Sequence, residues 1–165
     1  TAGPSGQTVE KAWPPVAERE NIAGGFVWAG FDYKGEPRPF GWPVVNCHYG
    51  FFDLCGFPKD SYYYYKSWWA KNLFCMSSRT ELGSKEGQEI PVWVHSNCDE
   101  VELFLNDVSL GKQTVKPLHH LEWKVKYAPG KLVAKGIRMG KSLETTRETT
   151  GAPAAIRLTA DRKAL

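Results

Sequence analysis

The sequence predicts two unlike parts in tandem: a piece of an α/β architecture up to about residue 76, then an antiparallel β-sandwich of immunoglobulin type. Three observations predict it. "IAGGFVWAGF" is a nearly continuous apolar run flanked by helical signals. Near residue 76 a composition rich in aromatic, Gly and Pro residues gives way to alternating apolar and polar residues. The alternating segments that follow are short and evenly spaced, with no helical stretch between them.

Taken in order, "VEKAWPPVAERE" carries Val9, Trp13, Val16 and Ala17 at roughly helical spacing, but Pro14 and Pro15 forbid one helix through them. A helix beginning at the prolines is expected. The run from Ile22 to Phe31 reads as a strand buried on both faces, as in parallel sheets covered by helices. "GFPKDSYYYYKSWW" places Pro58 near a helix start and Asp60 in the first turn, where the dipole favours an acid, ahead of a strongly aromatic helix. The tyrosines 62–65 are expected to pack that helix against its sheet.

The second part alternates. Ile90, Val92 and Val94 point inward from one strand; Val101, Leu103 and Leu105 from the next; Leu121, Trp123, Val125 and Tyr127 from a third. Asn106 and Asp107 sit where a two-residue hairpin needs positive φ. Pro129–Gly130 marks a turn, "KLVAKGIR" a strand, and "MGKS" a hairpin into "LETTRETT". Trp93, Phe104 and Trp123 could form a sugar-binding patch, but filling between the sheets accounts for most of them. The expected division is residues 1–76, 77–152 and 153–165, the last a linker and the start of a further β domain.

Composition excludes several functions. The net charge of +3 is spread among acids instead of forming a basic stripe, so nucleic acid is not an expected partner. No apolar stretch approaches the ~20 residues of a membrane helix, so no membrane partner is expected. Cys47, Cys55, Cys75 and Cys98 lack metal-ligand spacing with one another or with the histidines, so no metal and no cofactor is called for. The same cysteines could form two disulfides or remain as buried thiols. "TAGPSGQTVEK" has neither an initiator Met nor a signal-peptide pattern, and the chain reads as cut from something longer.

The functional signal is "GGFVWAGFDYKGEPRPFGW". Trp28 ends the apolar run, and Asp32, Tyr33, Glu36 and Trp42 follow in the loop. Ligands bind at the C-terminal ends of strands in parallel α/β sheets and barrels. An indole face suits the C–H side of a sugar, and carboxylates accept hydrogen bonds from its hydroxyls. The candidate substrate-binding residues are therefore Trp28, Asp32, Glu36 and Trp42, with Asp32 and Glu36 alternatively organising the loop. His48 is read as an ordinary hydrogen-bonded loop histidine.

"GGFVWAGFDYKGEPRPFGWP", "GFFDLCGFPKDSYYYYKSWW" and "VWVHSNCDEVELFLNDVSLGKQ" together resemble glycoside hydrolase family 2, nearest to its bacterial β-galactosidases, over almost the whole chain from about residue 9. The resemblance implies a fragment of a (β/α)8 barrel, its last strand and helices, followed by the all-β immunoglobulin-like sandwich. It matches Trp28 to a tryptophan of the sugar subsite and places both glutamates of the retaining mechanism upstream of residue 1. No catalytic residue is then expected in this chain, since that mechanism needs two carboxyl groups about 5–5.5 Å apart. Asp32 and Glu36, four residues apart in a Gly- and Pro-rich loop, have no rigid element to serve as that pair. Arg38 and Asp107 depart from the family's usual Thr and Gly.

The resemblance implies a fragment of a retaining hydrolase of terminal β-linked sugars, inert alone, with a β-galactoside-like carbohydrate and the remainder of the parent enzyme as partners. A periplasmic or secreted setting is favoured over a cytoplasmic one. The alternative is a non-catalytic carbohydrate- or protein-binding sandwich. A lone barrel strand leaves backbone groups unpaired on both sides, so residues 1–76 in isolation are expected to be disordered, rearranged or associated with another chain.

Overall fold

A computed structural model of the chain describes residues 9–72, 74–77 and 86–152, and beyond them 154, 155, 157, 159 and 162. Two single-turn helices come first, α1 (Val9–Ala12) and α2 (Pro14–Ala17), the second opening at a proline whose missing N–H is no loss in a first turn. The two-residue strands β1 (Tyr33–Lys34) and β2 (Asn46–Cys47) pair antiparallel and close the loop between them. Helix α3 (Asp60–Trp69) starts two residues after Pro58, with Asp60 in its first turn and Lys66 in its last, both favourable to its dipole.

The remaining strands are β3 (Cys75–Ser77), β4 (Glu89–Ser96), β5 (Glu100–Leu105), β6 (Val108–Thr114), β7 (Leu121–Lys126), β8 (Lys131–Arg138) and β9 (Lys141–Glu148). They form two antiparallel sheets, β3-β4-β7 and β6-β5-β8-β9. The chain changes sheet between β4 and β5, β6 and β7, and β7 and β8, so each sheet is completed only by the other's connections. Register puts inward residues opposite one another: Ile90 with Val125, Val92 with Trp123, Val94 with Leu121, and Leu103 with Ala134. These residues, with Cys75, Cys98 and Val101, make the core between the sheets. Each fully buried Val or Leu there is worth about 1.5–3 kcal/mol.

The hairpins follow their turn residues. Asn106 (φ 50°) and Asp107 (φ 64°) carry the positive φ pair that joins β5 to β6 with the twist of the strands, and Met139 (φ 48°) with Gly140 (φ 76°) does the same for β8 and β9. Asn106 also serves the neighbouring connection, since its side chain accepts from Lys131 N and donates to Pro129 O, pinning the β7–β8 turn. Pro91 faces Lys124 of β7, while the described part of β3 pairs only with residues 94–96 of β4. Its missing N–H therefore breaks no ladder among the described residues.

Helix α3 fastens the first part to the sandwich. Tyr64 is fully buried and Tyr65 is 5% exposed, and the Tyr64 hydroxyl donates to Leu118 O at 2.9 Å. The helix packs on β4, while Tyr65 gathers Trp13, Phe51 and Trp69 around it, at ring centroid distances of 5.6, 5.1 and 4.5 Å. Tyr64 and Tyr65 are thus packing surface, with the helix set on the sandwich instead of on a barrel sheet, while Tyr62 and Tyr63 are half-buried.

Two expectations are corrected. Residues 24–28 form no strand, and Phe26 is fully exposed. A strand apolar on both faces needs neighbours to complete its ladder and cover it, and among the described residues none runs beside this segment. Pairing begins only at Ala29, where residues 29–32 exchange backbone hydrogen bonds with residues 49–52 and Phe31 pairs parallel with Phe52. Of the three sandwich aromatics, only Trp123 lies between the sheets. Trp93 turns outward to stack on His120 at 4.1 Å and to donate to Glu122, and Phe104 lies under the Lys135 ammonium. The expected tail strand in residues 153–165 falls largely outside the described residues.

Candidate functional site

The β1–β2 pair sets the shape of the aromatic loop, because Tyr33 opposite Cys47 and Lys34 opposite Asn46 bring its two ends together. Trp28, 74% exposed, donates from its indole N–H to the Tyr33 hydroxyl at 3.0 Å, with the two rings edge-to-face. That hydroxyl donates onward to Glu36 Oε2 at 2.9 Å. The hydrogen bond with the Cys47 thiol and the one to Glu36 push the Tyr33 pKa up to about 12, so the phenol keeps its proton. An indole edge, a phenol and a carboxylate are thereby joined in one line, with the indole face and part of the carboxylate left to solvent.

Asp32 is placed differently. It is 6% exposed, and its carboxylate accepts from Gly50 N at 2.9 Å and from Lys59 Nζ at 2.5 Å, with His48 Nδ1 3.6 Å away. Lys59 also donates to His48 O at 3.1 Å. Gly50 has no room for a side chain, since a Cβ there would collide with the backbone of Phe31 and Asp32. Trp42, 87% exposed, stands further along the loop; no hydrogen bond or ring contact joins it to Trp28 among the described residues. The structure therefore joins Trp28 to Glu36 through Tyr33, buries Asp32 against Gly50 and Lys59, and shows no bond between Trp42 and that line among the described residues. The peptide bonds Trp28–Ala29, Arg38–Pro39 and Trp42–Pro43 are cis.

Behind the loop lies a cavity of about 730 Å³ between residues 25–28, the helices and the outer face of β4, lined among others by Trp13, Trp28, Lys59, Asp60, His95 and His120. On its sandwich side His120 N and Nδ1 both meet Glu10 Oε1 at 2.6 Å, and His120 Nε2 is 3.7 Å from Glu122. Burial opposes charge on both partners, but their mutual hydrogen bonds outweigh it: the Glu10 carboxyl sits below its ordinary pKa and His120 above its own. Burial raises the Asp60 carboxyl. His95, 3% exposed, has both ring nitrogens unpartnered among the described residues, and burial pushes its pKa down to about 4, leaving it neutral.

Sequence reasoning passes over Tyr33 as a connector and Lys59 as a clamp. The signal for Tyr33 is its place directly after Asp32. The signal for Lys59 is a lone cation in "GFPKD" at the start of an aromatic helix.

A family profile described as a domain of unknown function, DUF4982, matches residues 87–144, the region from just before β4 into β9. Beta-galactosidase BoGH2A of Bacteroides ovatus is 43% identical over 98% of this chain and 19% of its own length. A beta-glucuronidase of Bacteroides fragilis is 31% identical over 83% of this chain and 20% of its own. The crystal structure of a glycosyl hydrolase family 2 member from Bacteroides cellulosilyticus superposes with a TM-score of 0.76 at 26% identity, covering 93% of this chain and 25% of that one. The chain thus spans about a fifth of the length of the relatives it matches. With sequence agreement running through both the aromatic loop and the sandwich, this chain belongs to glycoside hydrolase family 2.

Proposed function

We propose that the chain supplies one wall of the sugar-binding cleft of a retaining β-glycosidase whose two catalytic glutamates lie on other parts of a longer polypeptide. The observation that carries this is the hydrogen-bonded line from Trp28 through Tyr33 to Glu36, which presents an indole face and a carboxylate side by side at the surface. The indole covers the C–H face of the sugar, Glu36 accepts from a hydroxyl, Trp42 forms a second wall, and Asp32 holds the loop from below. In this reading residues 1–76 are the C-terminal segment of the catalytic barrel. The remainder of the enzyme covers the exposed Phe26, Phe31, Phe40, Leu54 and Phe57.

The substrate is a terminal β-linked sugar. A β-galactoside is our first choice, and relatives named for β-glucuronidase activity make a β-glucuronide the second to try. The chain alone is expected to hydrolyse neither aryl glycoside, because in this reading both carboxylates of the retaining mechanism are supplied by other parts of the polypeptide. The full-length parent is expected to hydrolyse one of them and to lose at least tenfold in kcat/KM on Trp28→Ala, a loss of about 1.4 kcal/mol in transition-state binding. A Trp28→Ala parent with full activity would remove Trp28 from the cleft, and turnover by the purified 165-residue chain would overturn the proposal.

A further inference from the structure

Lys59 stands at the start of α3, the helix whose Tyr64 is buried against the sandwich and bonded to Leu118 O. Its backbone N–H donates to Phe51 O at 2.8 Å, which fixes the approach of residues 50–52 to the helix. Its ammonium crosses to the aromatic loop and bonds Asp32 Oδ1, 27 residues earlier in the sequence, together with His48 O. The Asp32 carboxylate, 3% exposed, holds the Gly50 amide with the same oxygen, while Asp32 N donates to Phe52 O at 2.8 Å. Asp32 adjoins Tyr33, the residue that carries both Trp28 and Glu36.

We propose that Lys59 is a positioning residue: through Asp32 it locks the aromatic loop to the sandwich-anchored helix and so fixes where Trp28 and Glu36 meet a sugar. The chemistry favours this over incidental pairing. A carboxylate this deeply buried needs a counter-charge and donors for its lone pairs, and Lys59 with Gly50 supplies both. The β1–β2 ladder is only two residues long, and the backbone bonds of residues 29–32 tie the loop to residues 49–52, the segment that Lys59 holds against α3. Removing the ammonium leaves a buried charge that is relieved by letting the loop move. Asp32 and Lys59 thus act on the cleft through Tyr33 without touching the sugar.

The inference rests on the proposed function, and its test separates the two. In the full-length parent, Lys59→Met is expected to lower kcat/KM for the preferred aryl β-glycoside at least tenfold, mainly through KM, because Trp28 and Glu36 contact the sugar in the ground state too. Lys59→Arg should recover most of that loss. Asp32→Asn combined with Lys59→Met should lose less than Lys59→Met alone, because no buried charge is then left unpaired. Amide exchange at Gly50 and Tyr33 should speed up in Lys59→Met while exchange in β4, β7 and β8 stays unchanged. Unaltered kinetics in Lys59→Met would overturn the positioning role, as would a loss equal in the single and double variants. If the parent turns over no β-glycoside, the glycosidase reading fails alone. The exchange measurement then decides, and unchanged protection at Gly50 and Tyr33 overturns the lock.

Discussion

His95 sits between Tyr64 and His120, at ring centroid distances of 6.3 and 6.1 Å, buried away from solvent. An unfolded chain titrates its histidine at the ordinary 6.5, whereas burial takes His95 down to about 4. Between those values the unfolded chain takes up a proton that the folded chain refuses. The contribution is therefore complete above pH 6.5 and is lost as pH falls toward 4, by about 3 kcal/mol. His120 runs the other way: burial pulls it down, but Glu10 and Glu122 outweigh that, so its pairing contributes below pH 6.5 and is lost as pH rises through its raised folded value. His95→Phe keeps a ring against Tyr64 and removes the first titration. Urea unfolding at pH 7 and pH 4.5 should find the variant gaining on the parent at the lower pH, and a pH-independent difference would contradict this. None of that is legible from "VWVHSN", because alternation tells which side a residue faces and not what lies there. The Asp32–Lys59 contact is hidden for a related reason: its partners are 27 residues apart and no periodicity links them.

The strands that can be read from sequence are those whose period is set by one buried face, and β4, β5 and β7 fall where Ile90, Val101 and Leu121 begin that alternation. Strand β3 gives no such signal, since Cys75–Ser77 is too short to show a period and lies next to the change in composition. The run at residues 24–28 misleads because apolarity on both faces describes the neighbours a strand would have, and the described residues do not provide them. Turn chemistry is clear in both hairpins. It also supports a prediction: Asp107 holds φ 64° in the β5–β6 turn, a conformation that burdens an L side chain by about 1–2 kcal/mol and glycine hardly at all. Asp107→Gly should stabilise the chain by about 0.5–1 kcal/mol once the added freedom of the unfolded state is subtracted. A denaturation midpoint that falls would show that the Asp107 side chain has a role beyond the turn.

At the scale of the molecule, the sandwich closes over its own core while the segment before α3 does not. Phe26, Trp28, Phe31, Phe40, Phe57 and Trp42 are each more than half exposed. Isolated apolar residues on a surface are ordinary, but a concentration of this kind is the mark of a surface meant to be covered. The consequence is colloidal. Prepared apart from its surroundings, the chain should gather into dimers and larger species as it is concentrated, through this end and not through the sandwich. Light scattering should therefore rise with concentration and drop on Phe26→Ser, whereas Val108→Ser on the exposed β6 should change nothing. An isolated, unsubstituted chain that stays monomeric at high concentration would mean that the aromatic end shields itself by folding inward.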